Sequence, residues 1–321
     1  MQIVRSLDHL PPALRGGVVA IGNFDGVHRG HAQLVKRLVS LAQRLGGPAL
    51  VFTFDPHPLA ILKPEWVPTP MTRVDRKAEL LSELGVDAVI AYPTDRALLS
   101  LDPSQFFELV VRNCLGARGL VEGPNFHFGK DRAGDVQVLR RLCESAAITL
   151  EVVELLQGIA SNDEPHSESV DVISSSRVRA LIQTGDVRHA NNLLTKPYRL
   201  SGVVGHGAER GRTIGFPTAN LEQIQTVVPA QGVYAGRAWV GNQPRAAAIN
   251  IGPNPTFGED AMKIEVHLID FDQNLYDRSL TVELLDRLRG IETFPSLTAL
   301  QVQLKSDVAK AREVVEMTND Q

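Results

Sequence analysis

The sequence predicts two domains: an α/β domain with a mostly parallel sheet, followed by an antiparallel β-barrel with a C-terminal helix. Three observations support this fold class. The chain has 321 residues, which is more than one ordinary domain contains. Strand-like and helix-like patterns alternate in the first half. After about residue 188, short strand-like runs separated by turns dominate instead.

The first half alternates short apolar runs with helical patterns. Its predicted strands are "GVVAIGNF", "PALVFTF", "VDAVIAY", "RGLVEG" and "ITLEVVEL". Its predicted helices are residues 30–45, "MTRVDRKAELLSELG", "LDPSQFFELVVRNCLG" and a segment near residues 135–147. We expect Thr72 to cap the second helix, and Asp102 to cap the third with Pro103 at its first position. This alternation predicts a parallel sheet whose ligands bind beyond the carboxyl ends of the strands.

The second half consists of short strand-like runs between Gly, Pro and Asn turns. These runs are "YRLSGVVGHG", "GVYAGRAWVG", "PRAAAINIG", "KIEVHLIDF" and "SLTVELLDRLRG". An antiparallel barrel fits them because closure removes exposed sheet edges. A C-terminal helix is predicted by an apolar stripe of Leu297, Leu300, Leu304, Val308, Ala311 and Val315. We place the domains at residues 1–187 and 188–321, and we interpret the acidic segment 161–171 as a mobile loop.

Composition and charge restrict the class of partner. The formal net charge is −4, and nucleic-acid-binding surfaces are normally basic, so we expect no nucleic-acid partner. The N-terminal segment lacks the layout of a signal peptide, and no apolar run reaches the ~20 residues of a membrane helix. Cys114 and Cys143 lie in helical patterns without metal-ligand spacing. We therefore expect a cytoplasmic protein with reduced thiols and no membrane association, whose oligomeric state the sequence leaves open.

The stretch "AIGNFDGVHRGHAQLV", residues 20–35, lies where the first predicted strand passes into the first helix. A helix N-terminus presents unpaired N–H groups and a partial positive charge, which favours anion binding. Gly26 and Gly30 allow a phosphate to approach the backbone. His28 and His31, three residues apart, lie on one helix face and are able to donate hydrogen bonds to phosphate oxygens. The alternative is an accidental histidine cluster in a flexible loop.

Three further stretches of the first half carry polar groups next to predicted strands or helices. "ISSSRVRAL" places serines directly before a helix with Arg177 and Arg179, and hydroxyl and guanidinium groups are common phosphate ligands. The glycine-rich "GPNFHFGKDRAGD" follows a predicted strand and offers Asn125 and His127, while "FTFDPHP" ends another strand. Each also has an ordinary explanation as a serine N-cap or a connecting loop, so none identifies a ligand alone.

The second half contains a glycine-rich segment and one carboxylate of interest. "GHGAERGRTIGFPTANL", residues 205–221, combines a flap able to cover phosphates with two oxygen donors, Thr218 and Asn220. Such donors suit Mg²⁺ that is bound mainly by nucleotide phosphates. Glu265 alternates with apolar neighbours, so its side chain faces the opposite side of the sheet and is able to accept a proton from a hydroxyl. The alternatives are a simple Pro-Thr turn and a solvated strand residue.

The motifs of the first half together resemble a known family. "GNFDGVHRGH", "FTFDPHP", "NFHFGKDRAGD" and "ISSSRVR" resemble the N-terminal, Rossmann-like nucleotidyltransferase half of bifunctional riboflavin kinase/FAD synthetases. The resemblance implies that the phosphate of FMN attacks the α-phosphorus of ATP, giving FAD and pyrophosphate, with His28 and His31 stabilising charge. The ATP- and phosphate-binding residues that it implies are Gly22, Asn23, Asp25, Gly30, Asn125, Ser175, Ser176 and Arg179.

The motifs of the second half resemble the riboflavin kinase half of the same family, in the same order. They are "GRTIGFPTANL", "GVYAG", "NIGPNPTFG", "IEVHLIDFDQNLY" and "RLRGIETF". The resemblance implies transfer of the γ-phosphoryl group of ATP to the riboflavin 5′-hydroxyl, with Glu265 as general base and Thr218 and Asn220 serving Mg²⁺. The further ATP contacts that it implies are Gly211, Thr213, Gly215 and Pro217. Riboflavin, FMN and ATP are therefore the expected small-molecule partners.

Several positions depart from the family pattern, among them Thr195 and Lys196 in "LLTKPY" where Gly-Arg is usual, and alternative functions remain open. Ser176 stands where the family usually has threonine, His127 where arginine is common, and Asp277 where glycine is usual. One alternative retains only one activity, the kinase being the more secure, and another is a non-catalytic flavin- or nucleotide-binding regulator. An aminoacyl-tRNA synthetase, which shares an H-x-G-H-like signature, is disfavoured because the chain is short, acidic and lacks a K-M-S-K-S-like loop.

Overall fold

The computed structural model describes most of the chain. The described residues are 1–8, 10–154, 156, 172–207, 210–254, 256 and 259–319. The acidic segment 161–171, predicted as a mobile loop, lies outside them. The chain divides into two compact units, Met1–Ser175 and Ser176–Gln321. The predicted division between residues 187 and 188 stays a prediction.

The first unit is built on a six-stranded parallel sheet, as the alternating patterns predict. Its strands are β1 (Gln2–Val4), β2 (Val18–Ile21), β3 (Ala49–Phe54), β4 (Ala88–Tyr92), β5 (Gly119–Glu122) and β6 (Thr149–Val152). They lie in the order β1-β4-β3-β2-β5-β6. Strands β3 and β4 lie on one side of β2, and strands β5 and β6 lie on its other side. The strand order therefore reverses between β2 and β5, and their carboxyl ends border the crevice where such sheets bind ligands.

Helices cover both faces of this sheet. They are α1 (Arg29–Leu45), α2 (Leu59–Leu62), α3 (Val74–Glu83), α4 (Arg96–Leu99), α5 (Pro103–Phe106) and α6 (Val136–Ser145). A π-helical stretch, Phe107–Cys114, continues α5, and short 3₁₀ turns lie at Pro12–Leu14, Pro64–Trp66 and Lys130–Arg132. The buried side chains form two apolar clusters, and successive residues of β2 belong to alternate clusters. This alternation is the expected result of a sheet buried on both faces.

Two predicted helix caps have different outcomes. Asp102 caps α5 as expected: its carboxylate accepts the Gln105 N–H at 2.8 Å, and the Gln105 side chain accepts the Asp102 N–H at 3.0 Å. The prediction that Thr72 caps α3 is wrong, because that helix begins at Val74 without a side-chain cap. The Thr72 hydroxyl is used in a tertiary contact instead, where it accepts the Gly26 N–H at 3.0 Å.

The second unit is a closed antiparallel barrel, which confirms the predicted change of architecture. Its strands are β7 (Tyr198–Gly205), β8 (Ala219–Glu222), β9 (Gly232–Val240), β10 (Gln243–Asn254), β11 (Glu259–Leu268) and β12 (Ser279–Arg289). They close in the order β10-β11-β8-β7-β12-β9. Its helices are α7 (Ser175–Thr184, whose first residue belongs to the first unit), α8 (Val187–Leu193), α9 (Arg210–Thr213) and α10 (Leu297–Asn319).

The predicted apolar stripe attaches α10 to the barrel. Ala311 is fully buried and packs in one cluster with Ala235 and Ile269. Leu300 and Val315 of the stripe are also buried, whereas Leu297, the first residue of the helix, is 52 % exposed. In the parts of the chain that the structure describes, no helix combines the length and the apolar composition needed to cross a membrane.

Candidate active sites

The loop that joins β2 to α1 is fixed by hydrogen bonds to neighbouring segments. The Gly22 N–H donates to the Phe52 carbonyl at 2.9 Å, which continues the pairing of β2 with β3. The Asp25 carboxylate accepts the backbone N–H groups of Met71 and Thr72 at 3.0 Å. The Gly22 N–H and the Asp25 carboxylate therefore already have protein partners, and these hydrogen bonds fix the shape of the loop before the start of α1.

The same loop has a strained backbone. Phe24 and Val27 have positive φ angles of 47° and 42°, which are uncommon for any residue with a side chain and most costly for a β-branched one. Such conformations cost about 1–3 kcal/mol each and persist where surrounding contacts impose them. Both side chains are buried, at 3 % and 0 % exposure. Core packing therefore holds the loop in its shape before any ligand arrives.

His28 and His31 form a stacked pair at the N-terminus of α1. His28 is the N-cap, and its Nδ1 accepts the His31 N–H at 3.3 Å. The two rings lie 3.7 Å apart between centroids with an interplanar angle of 15°. A Cβ at Gly30 would lie 3.1 Å from the His28 ring, so glycine lets this ring fold back against the helix. Because Nδ1 of His28 accepts a hydrogen bond, the proton of the neutral ring lies on Nε2.

Burial keeps both imidazoles uncharged at neutral pH. It lowers the pKa of His28 to about 4, although the nearby Asp25 carboxylate acts in the opposite direction. Burial also lowers the pKa of His31 well below its usual range; protonation of the neighbouring His28 would lower this pKa further, and the positive charge of Lys77 acts in the same direction. Nδ1 of His31 is buried without a hydrogen-bond partner among the described residues. The pair is therefore suited to donate or accept hydrogen bonds rather than to act as cations.

Further predicted residues of the first unit lie around this loop. The Asn23 side chain contacts Nε2 of His57 at 3.0 Å, and the Ser175 hydroxyl donates to the Asp25 carbonyl at 2.9 Å. Ser175 is thereby joined to the histidine loop. Asn125 is exposed in the loop that follows β5. These segments all follow the carboxyl ends of strands or meet the start of α1.

Ser176 and Arg179 lie on α7, one and four residues beyond Ser175, and belong to the second compact unit. Of the positions that depart from the family pattern, His127 is exposed. Asp277 has a φ of 60°. Aspartate tolerates this left-handed conformation better than most residues, and glycine adopts it without strain.

Three side chains from adjacent strands of the barrel form a row centred on Glu265. Glu265 on β11 is paired with Asn220 on β8 and with Asn250 on β10. Residues directly opposite each other in a sheet project from the same face, so these side chains are neighbours. Nδ2 of Asn254 donates to Oε2 of Glu265 at 2.8 Å. The amide therefore fixes one carboxylate oxygen of Glu265.

This row lies in a pocket that also contains parts of the predicted flap. The lining includes Gly211, Thr218, Asn220, Asn250, Asn254 and Glu265. At Gly211 an added Cβ would lie 2.3 Å from the Phe216 carbonyl oxygen, so that position has room only for glycine. Thr213, Gly215 and Pro217 are not among the described residues that line the pocket. The Pro217 carbonyl instead contacts Nδ1 of His267, a pocket residue, at 2.8 Å.

The donors available for a cation in this pocket are oxygen atoms. Thr218 offers a hydroxyl and Asn220 an amide carbonyl, both of which suit a hard cation that keeps phosphate and water ligands. Among the described residues, no group of three or more His, Cys, Asp or Glu side chains is arranged to hold a metal ion. The donor set therefore fits a metal that arrives with a nucleotide better than one that the protein alone encloses.

Comparison with known proteins assigns the chain to a family. A family model described as FAD synthetase matches residues 10–165, and one described as riboflavin kinase matches residues 194–315. The bifunctional riboflavin kinase/FMN adenylyltransferase of Pseudomonas fluorescens is 38 % identical over 97 % of each chain. This chain belongs to the bifunctional riboflavin kinase/FMN adenylyltransferase family. The protein of the same name from Escherichia coli K12 is 34 % identical over 99 % of each chain.

A solved structure also resembles this chain. It is described as a macrolide-efflux protein from Streptococcus pneumoniae, is 30 % identical, and matches with a TM-score of 0.84 over 97 % of this chain and 98 % of that one. The efflux description is a statement about that protein. The likeness itself supports the fold, a parallel sheet with helices followed by a closed barrel and a C-terminal helix.

Family membership fixes the class of chemistry. The protein is a transferase with kinase and nucleotidyltransferase activity, which phosphorylates riboflavin with ATP to FMN and adenylylates FMN with ATP to FAD. Riboflavin, FMN and ATP are the substrates that the two domains imply. Reactions of both kinds with ATP are consistent with a divalent metal.

Several buried or pocket-lining polar residues were missed in the sequence. Asn250 alternates with Ile249 and Ile251, and this alternation was available as a signal, whereas Asn254 follows a Gly-Pro pair and had no such signal. Glu122, the last residue of β5, is 2 % exposed, and its Oε1 accepts the Ile21 N–H at 2.8 Å. Burial raises the pKa of Glu122 well above its usual range. Lys77 is buried on α3, where helical periodicity predicts only that this face packs on the sheet.

Proposed function

We propose that the barrel pocket is the site of riboflavin phosphorylation and that Glu265 is its general base. The observation that carries this proposal is the row of Asn220, Glu265 and Asn250 in one pocket with Thr218. A carboxylate in a concave site, flanked by amide donors, is suited to orient and deprotonate a hydroxyl group. The glycine at position 211 lines the same pocket, where a nucleotide needs close approach to the backbone.

In the proposed kinase reaction, Glu265 accepts the proton of the riboflavin 5′-hydroxyl as its oxygen attacks the γ-phosphorus of ATP, and ADP leaves. Asn254 holds Oε2 of Glu265 at 2.8 Å, which leaves Oε1 to face the substrate. Thr218 and Asn220 bind Mg²⁺, and the metal supplies neutralisation of phosphate charge when it is bound. Gly211, Thr213, Gly215 and Pro217 belong to the flap that covers the nucleotide. Positioning and charge neutralisation provide most of the catalysis in such a transfer.

The proposed adenylyl transfer takes place at the N-terminus of α1. The phosphate of FMN attacks the α-phosphorus of ATP, and pyrophosphate leaves. His28 and His31 stabilise the transition state as neutral hydrogen-bonding groups, which the depression of both pKa values supports. The N–H groups at the start of α1, beside Gly30, add partial positive charge.

The other predicted residues of the adenylyl-transfer site divide into two groups. Asn125, Ser175, Ser176 and Arg179 are proposed to bind phosphates. The second group is proposed to shape the loop and consists of Gly22, Asn23 and Asp25. The Gly22 N–H, the Asn23 side chain and the Asp25 carboxylate each form a hydrogen bond with another part of the protein.

Two further properties belong to the same proposal. We expect Mg²⁺ to serve both reactions, and removal of divalent cations with a chelator to stop FMN and FAD formation until Mg²⁺ is restored. We also expect the cytoplasm as the compartment, since neither cysteine is in a disulfide and both reactions consume ATP.

The deciding experiment incubates the purified protein with riboflavin and Mg-ATP and separates the flavins by chromatography. FMN followed by FAD is the expected result. FMN without FAD would leave only the kinase, and flavin binding without any product would identify a regulator.

Two single variants test the assignment of residues to the two sites. Glu265→Gln is expected to slow FMN formation about 10²- to 10⁴-fold, as loss of a general base does. The same variant still converts added FMN to FAD. His31→Ala is expected to have the reverse effect. If either change abolished both reactions in a folded protein, the assignment of separate residues to the two reactions would be wrong.

A further inference from the structure

Lys77 is a buried lysine that the proposed adenylyl-transfer chemistry does not yet use. Its side chain is 6 % exposed on α3, and Nζ donates to the Thr53 hydroxyl at 3.3 Å. Thr53 is itself fully buried and donates to the Asn23 carbonyl at 3.1 Å, so its oxygen is left to accept from Lys77. Lys77 therefore reaches the carboxyl end of β3, beside the loop that carries the histidine pair.

The ammonium group of Lys77 is incompletely satisfied. An ammonium group has three N–H donors. Among the described residues, one of these donors is used, in the hydrogen bond to the Thr53 hydroxyl. Neither nearby carboxylate forms an ion pair with it among the described residues: Asp25 accepts the N–H groups of Met71 and Thr72, and Asp55 pairs with Arg5 at 2.9 Å. Lysines are rarely buried unless they are paired. The environment thus leaves donors of a buried cation available.

A second unsatisfied buried group lies close by. Nδ1 of His31 has no hydrogen-bond partner among the described residues, and Lys77 is near enough for its charge to lower the pKa of His31. Burial lowers the pKa of Lys77 too, whereas Asp25 and Asp55 favour its charged form. Two neighbouring polar groups without sufficient partners, at the carboxyl edge of a parallel sheet, indicate a place for a polar ligand.

The ligand that fits these groups is anionic. The two histidines are neutral, so they provide no charge to balance a phosphate chain. A lysine ammonium is a compact charge that binds phosphate through several donors. We propose that Lys77 binds a phosphate group of ATP at the adenylyl-transfer site and supplies positive charge beside His31. This inference rests on the proposed function of the first unit.

The experiment compares Lys77→Gln with Lys77→Arg in the full-length protein. Glutamine keeps a donor for Thr53 without the charge, and arginine keeps the charge. Lys36→Met, an exposed lysine on α1, is the matched control. Pyrophosphate binding is measured by titration calorimetry with Mg²⁺ present, and KM for ATP and for FMN is measured during FAD formation. Riboflavin phosphorylation by the same samples reports on the integrity of the rest of the chain.

We expect Lys77→Gln to raise the Kd for pyrophosphate and the KM for ATP about 10- to 100-fold, as loss of a hydrogen bond from a charged group does. KM for FMN is expected to change little, Lys77→Arg to recover most of the affinity, and Lys36→Met to behave as the unaltered protein. Lys77→Met is the second uncharged variant, should the glutamine variant fail to fold.

A merely structural lysine would give a different result. A folded Lys77→Gln protein with unaltered pyrophosphate affinity and unaltered KM for ATP overturns the inference. Equal losses for ATP and FMN that Lys77→Arg does not reverse also overturn it, because they indicate a general distortion of the fold. If the unaltered protein forms no FAD, the proposed function fails instead, and the two failures are thereby distinguishable.

Discussion

The ion pair between Arg289 and Asp307 is expected to be a main determinant of the stability of the barrel unit. Nε of Arg289 donates to both carboxylate oxygens of Asp307 at 3.2 and 3.1 Å, and its Nη2 donates to Oδ2 at 2.8 Å. The side chains are only 14 % and 2 % exposed. Arg289 ends β12 and Asp307 lies on α10, so the pair connects the helix to the barrel.

The perturbation is Arg289→Met. It leaves the buried Asp307 carboxylate with the Gln303 side chain, which donates at 2.8 Å, but without a counter-charge. Removal of one partner of a buried ion pair costs about 3–5 kcal/mol, whereas replacement of both partners by apolar residues is often nearly neutral. With a urea m-value of about 2 kcal/mol/M, the single variant lowers the unfolding midpoint by about 2 M. The double variant Arg289→Met/Asp307→Leu is expected to lie within about 1 kcal/mol of the parent protein.

Tryptophan fluorescence provides the assay. The chain has 2 tryptophans, and Trp239 lies on β9 of the barrel whereas Trp66 is 72 % exposed in the first unit. A Trp66→Phe background therefore leaves a reporter that belongs to the barrel alone. Urea unfolding of the parent, the two single variants and the double variant completes a double-mutant cycle.

Two outcomes would refute the reasoning. If Arg289→Met lowers the free energy of unfolding by less than about 1 kcal/mol, the pair is not effectively buried. If the double variant is as unstable as Arg289→Met, the lost stability comes from the packing of the Arg289 side chain and not from the unpaired charge. One such contact is with Phe294, whose ring centroid lies 5.5 Å from the guanidinium carbon of Arg289.

Two predictions concern the first unit. Between the ordinary pKa of glutamate and the raised pKa of Glu122, the native state binds more protons than the unfolded state, so the contribution of Glu122 to stability falls as pH rises. The Glu122→Gln variant keeps an acceptor for the Ile21 N–H but has no titrating carboxyl group. In thermal unfolding it should be no more stable than the parent protein near pH 4, and its advantage over the parent should grow toward pH 8, by about 1.4 kcal/mol per unit by which the pKa of Glu122 is raised. A stability difference that does not change with pH would contradict this expectation. Gly30→Ala places a Cβ 3.1 Å from the His28 ring and should slow FAD formation about 10-fold by displacing the ring, while FMN formation, separated by chromatography, stays unchanged.

The architecture was predictable because burial leaves a direct record in the sequence. Strands buried on both faces, such as β2, are continuous apolar runs, and strands with one solvated face, such as β11, alternate. That alternation also assigned Glu265 to the face opposite its apolar neighbours. The short edge strand β1, of 3 residues, was missed because a run of that length has no measurable period.

The missed contacts are those that join distant segments. Thr72 has the local pattern of an N-cap, but its hydroxyl donates to the Asp25 carboxylate, 47 residues earlier in the chain. Lys77 has the pattern of an ordinary helix charge, and its burial depends on where α3 packs. Asn254 reaches Glu265 only because β10 and β11 are paired. Local spacing contains no information on such partners, so these residues could be identified only in the folded chain.

The serine motif bears on where the chain divides into functional parts. By internal contacts the division falls between Ser175 and Ser176, whereas the two family models leave residues 166–193 unmatched between them. The Ser175 hydroxyl donates to the Asp25 carbonyl of the histidine loop, and α7 continues directly into Ser176 and Arg179. A division at residue 175 would separate three residues that we assign to one phosphate-binding motif. The predicted division after residue 187 keeps the motif whole, and for that reason we retain it as the functional boundary.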